Sequence, residues 1–560
     1  MGGCNSHPQP CTAVRPQPGG FDPESGTPPP GLLMTERITR LMLWTVAVSV
    51  IGIFVVLATR RIPYPLELDY IEGAMMDHIV RLSQGRPIYV APSLDFITLA
   101  YMPGYATLVS LLARVNGPAL WEPRLVSFTA MMINAFLVGF VLRRETRSWT
   151  LAIAGAGLLI GAFGVTGAHY DVGRPDSLML CLVLSGLVVL RFTSGLRGAA
   201  VSALLLTLAF FTKQHAAWFV LAAMVHLAVN DRLRFWLFSA LAIAGCVGGY
   251  LALTLWLGPW FPFFTWEIPS HWSQLDKVRI LNYFGRGLVG TFGYLTAGVL
   301  ASLALPDRLW TGRGGLWYWV GLGGLATGIM ATLDPDAFRH VMNPSVVALS
   351  VLGPLAWWHV THHLATWPGS TRTGRHAVLW LILALQFVPL AYTVRGQLPH
   401  QHALAARREL VERIQAYPGR VLMLYHGYYT WLAGKGSTLQ QIALDDIIRA
   451  RGNRLLRQDP GAVERILAPL MSGTDRPMII TDIALERSGI ESQPLWAKVA
   501  RGYRYAGDLR PWGGTLDPVD GNHWTPRYVY LPAGAGDTTA VAGAPGAAGA
   551  IADSTSAMMP

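Results

Sequence analysis

The chain alternates long apolar runs with short polar connections over most of its first 395 residues. Many of the runs approach the length, about twenty residues, that an α-helix needs to cross a bilayer. Several of the connections carry arginines, which mark the cytoplasmic loops of membrane proteins. The pattern predicts an all-α polytopic membrane domain of about eleven transmembrane helices, at about 41–58, 124–142, 149–167, 176–191, 198–212, 214–229, 235–257, 287–305, 316–333, 342–358 and 376–394.

One apolar run, residues 103–115, is too short to cross a membrane and ends at an Asn-Gly-Pro turn. We interpret it as a helix that lies at the interface or re-enters the membrane, because counting it as a span would move the arginines after residue 142 outside. With this register the N-terminus is cytoplasmic and everything after residue 395 is extracytoplasmic. The register depends on Lys213, which divides two short helices; a single bent element there would invert all later spans.

Sequence after residue 395 has the composition of a soluble domain and predicts a small α/β fold outside the membrane. The segments VLMLY at 421–425 and PMIIT at 477–481 are typical of buried strands, with an amphipathic helix at 462–471 between them. Both chain ends are rich in Gly with Pro or Ala and predict disorder. The predicted organisation is a cytoplasmic tail at 1–37, a membrane domain at 38–394 with a first external loop at 59–123, the α/β domain at 395–532 and a tail at 533–560.

Composition agrees with this class of protein, because hydrophobic residues make up 52% of the chain and charged residues only 14%. Ordinary soluble proteins carry about 25% charged residues. The net charge of +11 lies largely in loops that flank apolar runs, so the membrane explains it better than nucleic acid does. The four cysteines form no disulfide framework or metal-ligand cluster.

The first external loop carries two carboxylates three residues apart, Asp69 and Glu72. If a helix begins near Asp69, both lie on one face, one turn apart. A carboxylate at the mouth of a low-dielectric cavity can have a raised pKa and act as a general base. The alternative is local, with Asp69 as the helix N-cap and Glu72 at the capping-box position.

Further acids and bases lie in other predicted external connections. Arg174 and Asp176 precede the fourth span, where they bind a polar ligand or simply form a solvated turn. Lys213 and His215 lie between two apolar helices, where a lysine snorkels to the surface or binds an anion. Arg339 precedes the tenth span. Their concentration on one side of the membrane is not what snorkelling predicts.

The order of these motifs resembles the GT-C superfamily of glycosyltransferases, and most of all its bacterial branch related to the lipid A aminoarabinose transferase and the protein O-mannosyltransferases. The likeness covers about residues 40–345. The motifs are DYIE at 69–72, QGRPIY at 84–89, YMPGY at 101–105, EPRLVS at 122–127, GRPD at 173–176 and FTKQ at 211–214. The family's acidic pair is often adjacent, whereas two residues separate Asp69 from Glu72, so either carboxylate could be the base.

The resemblance implies a sugar transfer from a polyprenyl-phosphate donor to a hydroxyl of a glycan, lipid or protein acceptor on the extracytoplasmic side of the cell membrane. Asp69 or Glu72 would take the acceptor proton. The expected substrate-binding residues are Tyr101, Arg174, Asp176, Lys213, His215 and Arg339. No cofactor is required with certainty, although a divalent cation is left open.

Two alternatives remain from the sequence. A transporter or flippase of a lipid-linked saccharide would show internal repeats and charges at mid-membrane, and neither is evident. A catalytically inactive member of the family would tolerate replacement of both acids.

Overall fold

The structure is a computed structural model of the 560-residue chain. It describes residues 29–272, 276–305, 311–334, 337–366, 370–399, 403–473, 476–509, 516, 518–519 and 525–534. Most of the predicted tails, residues 1–28 and 535–560, therefore lie outside the described residues.

Helices make up most of the described chain. In the N-terminal two thirds they are α1 Pro30–Arg61, α2 Tyr70–Ser83, α3 Gly104–Asn116, α4 Trp121–Thr146, α5 Trp149–Gly161, α6 Asp176–Phe192, α7 Gly195–Thr212, α8 Ala217–Asn230, α9 Arg232–Ile243, α10 Gly249–Leu257, α11 Trp260–Pro262, α12 Ile268–Ser270, α13 Lys277–Asn282, α14 Phe292–Leu303, α15 Leu316–Ala331, α16 Asn343–His363 and α17 Arg372–Leu385. Short π-helical segments join α9 to α10, α11 to α12 and α13 to α14.

Six helices of the described residues are long and apolar enough to cross a membrane, which bears out the polytopic helical domain. They are Pro30–Arg61, Trp121–Thr146, Gly195–Thr212, Arg232–Leu257, Arg339–His363 and Arg372–Leu390. In Arg232–Leu257 only 6% of the most apolar window is buried, and Leu255 is 87% exposed. Apolar surface of that extent is stable against lipid but not against water. The count of eleven spans remains a prediction.

Several predicted boundaries can be compared directly with these helices. The first helix begins at Pro30, so the predicted tail boundary at residue 37 lies inside it. The short run after Pro103 forms α3, a 13-residue helix with one buried face. Lys213 separates α7 from a single 3-10 turn and α8, so two helices are present where the sequence left one bent element open.

The C-terminal region contains a four-stranded sheet in the order β1-β2-β4-β3. Its strands are β1 Val421–Met423, β2 Met478–Thr481, β3 Tyr503–Asp508 and β4 Tyr528–Pro532. The pair β1–β2 is parallel and the other two pairs are antiparallel. The accompanying helices are α18 Ala403–Ala416, α19 Gly427–Leu432, α20 Gln441–Arg449, α21 Arg454–Gln458, α22 Ala462–Ser472 and α23 Gln493–Ala500.

This C-terminal region packs directly on the first long connection, residues 62–120, between α1 and α4. One hydrophobic core contains Met76 and Ile79 of α2 together with Tyr428 of α19 and Leu444 of α20. All four side chains are nearly or fully inaccessible to solvent. Burial of such side chains stabilises the contact by roughly 1.5–3 kcal/mol each. The loop is therefore held between the helix bundle and the C-terminal sheet.

Candidate active site

Buried ion pairs join the helix ends that carry the predicted site residues. At the end of α1, the Arg61 guanidinium donates from Nε to Asp171 Oδ2 at 2.8 Å and from Nη2 to Asp171 Oδ1 at 2.9 Å. Lys213, after α7, donates to Asp176 Oδ1 at the start of α6 over 2.8 Å. The connections after α1, α5 and α7 and the starts of α4 and α6 therefore meet at one end of the bundle.

Glu72 is fully engaged in this network. Its Oε1 accepts from Arg124 Nε at 2.9 Å and from the Gly173 backbone N–H at 2.8 Å. Its Oε2 accepts from Arg124 Nη2 at 2.6 Å and from the Leu68 N–H at 2.8 Å. The same Arg124 donates to the carbonyl oxygens of Arg61, Tyr64 and Leu66. Glu72 thus ties α2, α4 and the loop before α6 together, and neither of its oxygens faces a cavity without a partner.

Asp69 has a different environment, although it is also buried. Its Oδ2 accepts from Arg174 Nε at 2.7 Å. Its Oδ1 has no hydrogen-bond partner among the described residues, and His169 Nε2 lies 3.8 Å from it. Asp69 stands at the N-cap position of α2, but its side chain makes no capping hydrogen bond. One carboxylate oxygen is therefore buried without a hydrogen bond from the described residues.

The two carboxyl groups also differ in acidity. Burial raises the pKa of Asp69 above its ordinary value, because the opposing charge of Arg174 only partly compensates for lost solvation. Burial acts on Glu72 in the same sense, but the charge and hydrogen bonds of Arg124 and the two backbone N–H groups outweigh it and leave the pKa of Glu72 lowered. Asp69 is the better proton acceptor of the two.

A cavity of mixed polar and apolar lining begins at Tyr70, the residue after Asp69, and includes Arg174, the partner of Asp69. Its lining is Tyr70, Ile71, Leu99, Ala100, Tyr101, Arg174, Lys213, Gln214, His215, Trp272, Ala331, Asp334, His340, Val341, Ile442 and Asp446. Lys213 Nζ lies 6.0 Å from the centre of the Tyr101 ring. The cations Arg174 and Lys213 thus face a common space that receives side chains from the first loop, the bundle and the C-terminal helix α20.

Several buried polar atoms around this cavity have no partner within the described chain. They belong to Gln214 Oε1, His215 Nδ1, Trp272 Nε1 and His340 Nδ1, in addition to Asp69 Oδ1. An unsatisfied buried polar group costs roughly 1–3 kcal/mol. Their convergence indicates a site whose polar groups are completed by a polar ligand.

The two cations have unused donors toward this ligand. Arg174 binds Asp69 through Nε alone, so its two terminal amino groups donate no hydrogen bond to the residues that the structure describes. Lys213 uses one of its three N–H donors for the hydrogen bond to Asp176. Cations with free donors are the groups that bind phosphate oxygens.

Most of the predicted substrate-binding residues come together here, but not all. Tyr101, Arg174, Lys213 and His215 line the cavity, and Asp176 holds Lys213 from behind. Arg339 is exposed and is not part of the lining, whereas the next residue, His340, is.

Other lining residues were not singled out from the sequence. Trp272 and Asp446 come from distant segments without a chemical motif of their own. Arg124, the partner of Glu72, lies in the EPRLVS motif that the resemblance used, but only the structure shows its role.

A second buried ion cluster connects the first loop to the C-terminal region. His426 contacts Glu67 through Nδ1, and its Nε2 lies 3.0 Å from Asp482 Oδ2. Burial alone would lower the pKa of His426, but the two carboxylates outweigh it and raise that pKa to about 10. Gly73 permits this arrangement, because a Cβ there would collide with the Glu67 carboxylate.

The residues that the structure describes contain no group of three or more His, Cys, Asp or Glu side chains that could hold a metal ion. A divalent cation therefore stays a prediction.

Comparison with solved structures identifies the fold. The chain is similar to the crystal structure of ArnT from Cupriavidus metallidurans in the apo state, with a TM-score of 0.53 and 13% sequence identity over 89% of this chain and 98% of ArnT. It is similar to the same protein bound to undecaprenyl phosphate, with a TM-score of 0.51 and 14% identity over 90% of this chain and 99% of the other.

No family model and no curated protein sequence matches the chain. At such low identity the likeness is one of fold. ArnT is a lipid A aminoarabinose transferase with the GT-C architecture, so the resemblance predicted from the motifs is confirmed at the level of the fold.

Proposed function

We propose that this chain, which shares the fold of ArnT, is a membrane glycosyltransferase that moves a sugar from a polyprenyl-phosphate donor to an acceptor hydroxyl on the extracytoplasmic side. The observation that carries the proposal is the free oxygen of Asp69 beside a cavity that also exposes the unused donors of Arg174 and Lys213. A base and a phosphate-binding pair of cations at one cavity are what glycosyl transfer from a lipid phosphate requires.

In the proposed reaction the acceptor hydroxyl oxygen forms a bond to the anomeric carbon and its proton passes to Asp69 Oδ1. The bond between the anomeric carbon and the phosphate oxygen breaks, and the electron pair leaves with the polyprenyl phosphate. Lys213 and Arg174 stabilise the charge that develops on this leaving group. Such a leaving group needs no general acid.

Glu72 acts as a positioning residue in this scheme. It accepts four hydrogen bonds, two of them from Arg124, and its lowered pKa makes it a poor base. Its bond to the Gly173 N–H fixes the loop that presents Arg174 to Asp69. These contacts favour Asp69 over Glu72 as the proposed base.

The test is sugar transfer by purified protein from a panel of defined polyprenyl-phosphate sugars, with wild type compared with Asp69→Asn. We expect kcat to fall roughly 10²- to 10⁴-fold in the variant, which is the usual contribution of a general base. Asp231→Asn is the matched control, because Asp231 caps α9 at the opposite end of α8 from Lys213, lies outside the cavity lining, and Asn preserves the cap.

Full activity of Asp69→Asn would refute the proposed base. If wild type forms no product with any donor, but moves a lipid-linked saccharide across a vesicle membrane, the transporter alternative replaces the transferase.

A further inference from the structure

A second cleft lies between the first external loop and the C-terminal region, separate from the cavity at Asp69. It measures about 300 Å³. Four cations and a single carboxylate line it, namely Arg81, Arg86, Arg420, Lys435 and Asp95. The charge balance of the cleft is therefore strongly positive.

Two of these cations are held in place by direct contacts to neutral groups and not to carboxylates. Arg81 donates to the Pro87 carbonyl oxygen from Nε at 3.1 Å and from Nη2 at 3.0 Å, and its guanidinium lies 4.3 Å from the centre of the Phe96 ring. Lys435 Nζ donates to the Tyr417 carbonyl oxygen at 2.6 Å. Among the four cations, Arg420 has a carboxylate partner within the described chain, Asp95.

The loop that carries Lys435 adds backbone donors to the cleft. Gly434 and Gly436 adopt φ values of +73° and +86°, a conformation that favours glycine. Thr438 fixes the end of the loop by donating from Oγ1 to the Met423 carbonyl oxygen at 2.9 Å. The backbone N–H groups of residues 436, 437 and 438 donate no hydrogen bond to the described chain. Consecutive free N–H groups in such a turn form an anion-binding concavity.

The two sites are neighbours along the same structural elements. Asp69 precedes α2 and Arg81 lies near its end, so twelve residues of one helix separate them by about 18 Å. The loop after α2 contributes Leu94 to the cleft and Leu99 to the cavity, and the C-terminal region contributes Thr438 and Ile442 in the same way. The two sites are therefore lined by the same two segments of the chain.

We propose that this cleft binds an anionic group of the phosphate type that belongs to the acceptor. The inference rests on the proposed function. The donor's phosphate is bonded to the anomeric carbon and must lie beside Asp69 and Lys213, so an anion about 18 Å away along α2 belongs to the other substrate. The geometry assigns to the acceptor a phosphate group at about that distance from the hydroxyl that receives the sugar.

The first experiment measures binding of inorganic pyrophosphate to the purified full chain in detergent by calorimetric titration. We expect saturable, salt-sensitive binding that weakens roughly 10- to 100-fold in Lys435→Gln and in Arg86→Gln, because each loses a charge-assisted hydrogen bond. Arg501→Gln is the matched control, since Arg501 is an exposed arginine outside the cleft. No binding by wild type, or an equal loss in Arg501→Gln, would overturn the site.

The second experiment separates this inference from the proposed function. Asp69→Asn should lower kcat for sugar transfer roughly 10²- to 10⁴-fold and leave pyrophosphate binding unchanged. Lys435→Gln should raise KM at least tenfold for a phosphorylated acceptor, with kcat unchanged, and should leave KM unchanged for the same acceptor after phosphatase treatment. An equal rise in KM for both acceptors would contradict a phosphate-binding role in acceptor recognition.

The source of the anion is distinguished in nanodiscs. We expect pyrophosphate to bind equally well in discs of phosphatidylcholine and in discs that contain phosphatidylglycerol. Weaker binding in the anionic discs alone would show that a bilayer headgroup occupies the cleft and would overturn its assignment to the acceptor.

Discussion

Asp69 and Glu72 lie three residues apart at the start of the same helix, and both are buried, yet their surroundings differ. Glu72 belongs to a closed region in which every carboxylate oxygen has an arginine partner. Arg124 binds both oxygens of Glu72, and Arg61 binds both oxygens of Asp171. Asp69 belongs to an open region in which one of its oxygens has no partner among the described residues, and in which Arg174 and Lys213 each use only part of their hydrogen-bond donors. Burial alone therefore does not identify a functional carboxylate.

The difference lies in how many hydrogen bonds the fold supplies to each group. A buried charge that is fully paired holds elements together, and removing its partner is strongly destabilising. A buried charge that is half paired is maintained at a cost to stability, which is expected where a ligand completes it. The paired groups around Glu72 hold the loop at Gly173, and this loop places Arg174 against Asp69.

The largest effect on stability should come from removing Arg124, the arginine that pairs with Glu72 in the closed region. Arg124→Met would leave the Glu72 carboxylate buried without its cation and would also release three backbone carbonyl groups. We expect a loss of roughly 3–5 kcal/mol in the free energy of unfolding, measured as a lower thermal unfolding midpoint in detergent.

Two variants control for this result. Arg144→Met removes an exposed arginine from the other end of the same helix and should change the midpoint little. Adding Glu72→Gln to Arg124→Met should restore part of the lost stability, because it removes the unpaired charge. A midpoint for Arg124→Met equal to that of wild type would contradict the closed region.

The helices could be located from sequence because their apolar runs are continuous and local. Each predicted span overlaps a helix of the structure, and the strands after residue 420 lie where their apolar runs are. Boundaries were less accurate where polar residues are helical, as in the turns of α1 before residue 41. Interruptions such as the π-helical segment Ala244–Gly248 leave no mark on hydrophobicity, because its residues are all apolar or small.

The role of each carboxylate could not be predicted, because it depends on partners far away along the chain. Glu72 is paired by Arg124, 52 residues later, and Asp69 by Arg174, 105 residues later. The sequence selected Arg174 and Lys213, but it gave no means to see that Lys213 meets Asp176. Arg339 and His340 are adjacent, and only the 3-10 turn that they begin decides that His340 lines the cavity.

The cations of the open region provide the next comparison. Lys213→Met should lower kcat roughly 10²- to 10³-fold, because it removes a donor that stabilises the charge on the leaving phosphate. Arg339→Met is its matched control and should retain activity within a few-fold, since Arg339 is exposed and outside the cavity lining. Steady-state transfer assays at saturating donor measure both. Equal losses in the two variants would indicate a general charge effect rather than a specific phosphate contact.

The acid limb of the pH–rate profile should report Asp69 rather than Glu72. A base acts when ionised, and the pKa of Asp69 is raised above its ordinary 3.8, so activity should fall with acidification at a pH above that value. The pKa of Glu72 is lowered from 4.5, so its ion pair with Arg124 stays intact over the same range and is lost only at lower pH. We expect kcat to decline while the unfolding midpoint remains constant. A parallel decline of both would assign the limb to unfolding.

The smallest expected effect concerns the ion cluster of Glu67, His426 and Asp482, which joins the loop before α2 to the C-terminal region. The pKa of His426 is raised from 6.5 to about 10 by Asp482 and Glu67. Stability contributed by a group with a raised pKa is fully present below its unfolded value and is lost as the pH rises through its folded value. This contribution should therefore be complete below pH 6.5 and fade toward pH 10.

The measurement is the unfolding midpoint at pH 6 and at pH 10 for wild type and His426→Gln. Wild type should be the more stable of the two at pH 6, and the difference should shrink at pH 10 because His426 loses its charge near that pH. Other groups that titrate in alkali affect both proteins alike, so the change in the difference reports on His426. Transfer activity at pH 6 tests the link to the open region, since Glu67, which contacts His426, lies two residues before Asp69. If the midpoints differ by the same amount at both pH values, His426 contributes through packing and not through its charge.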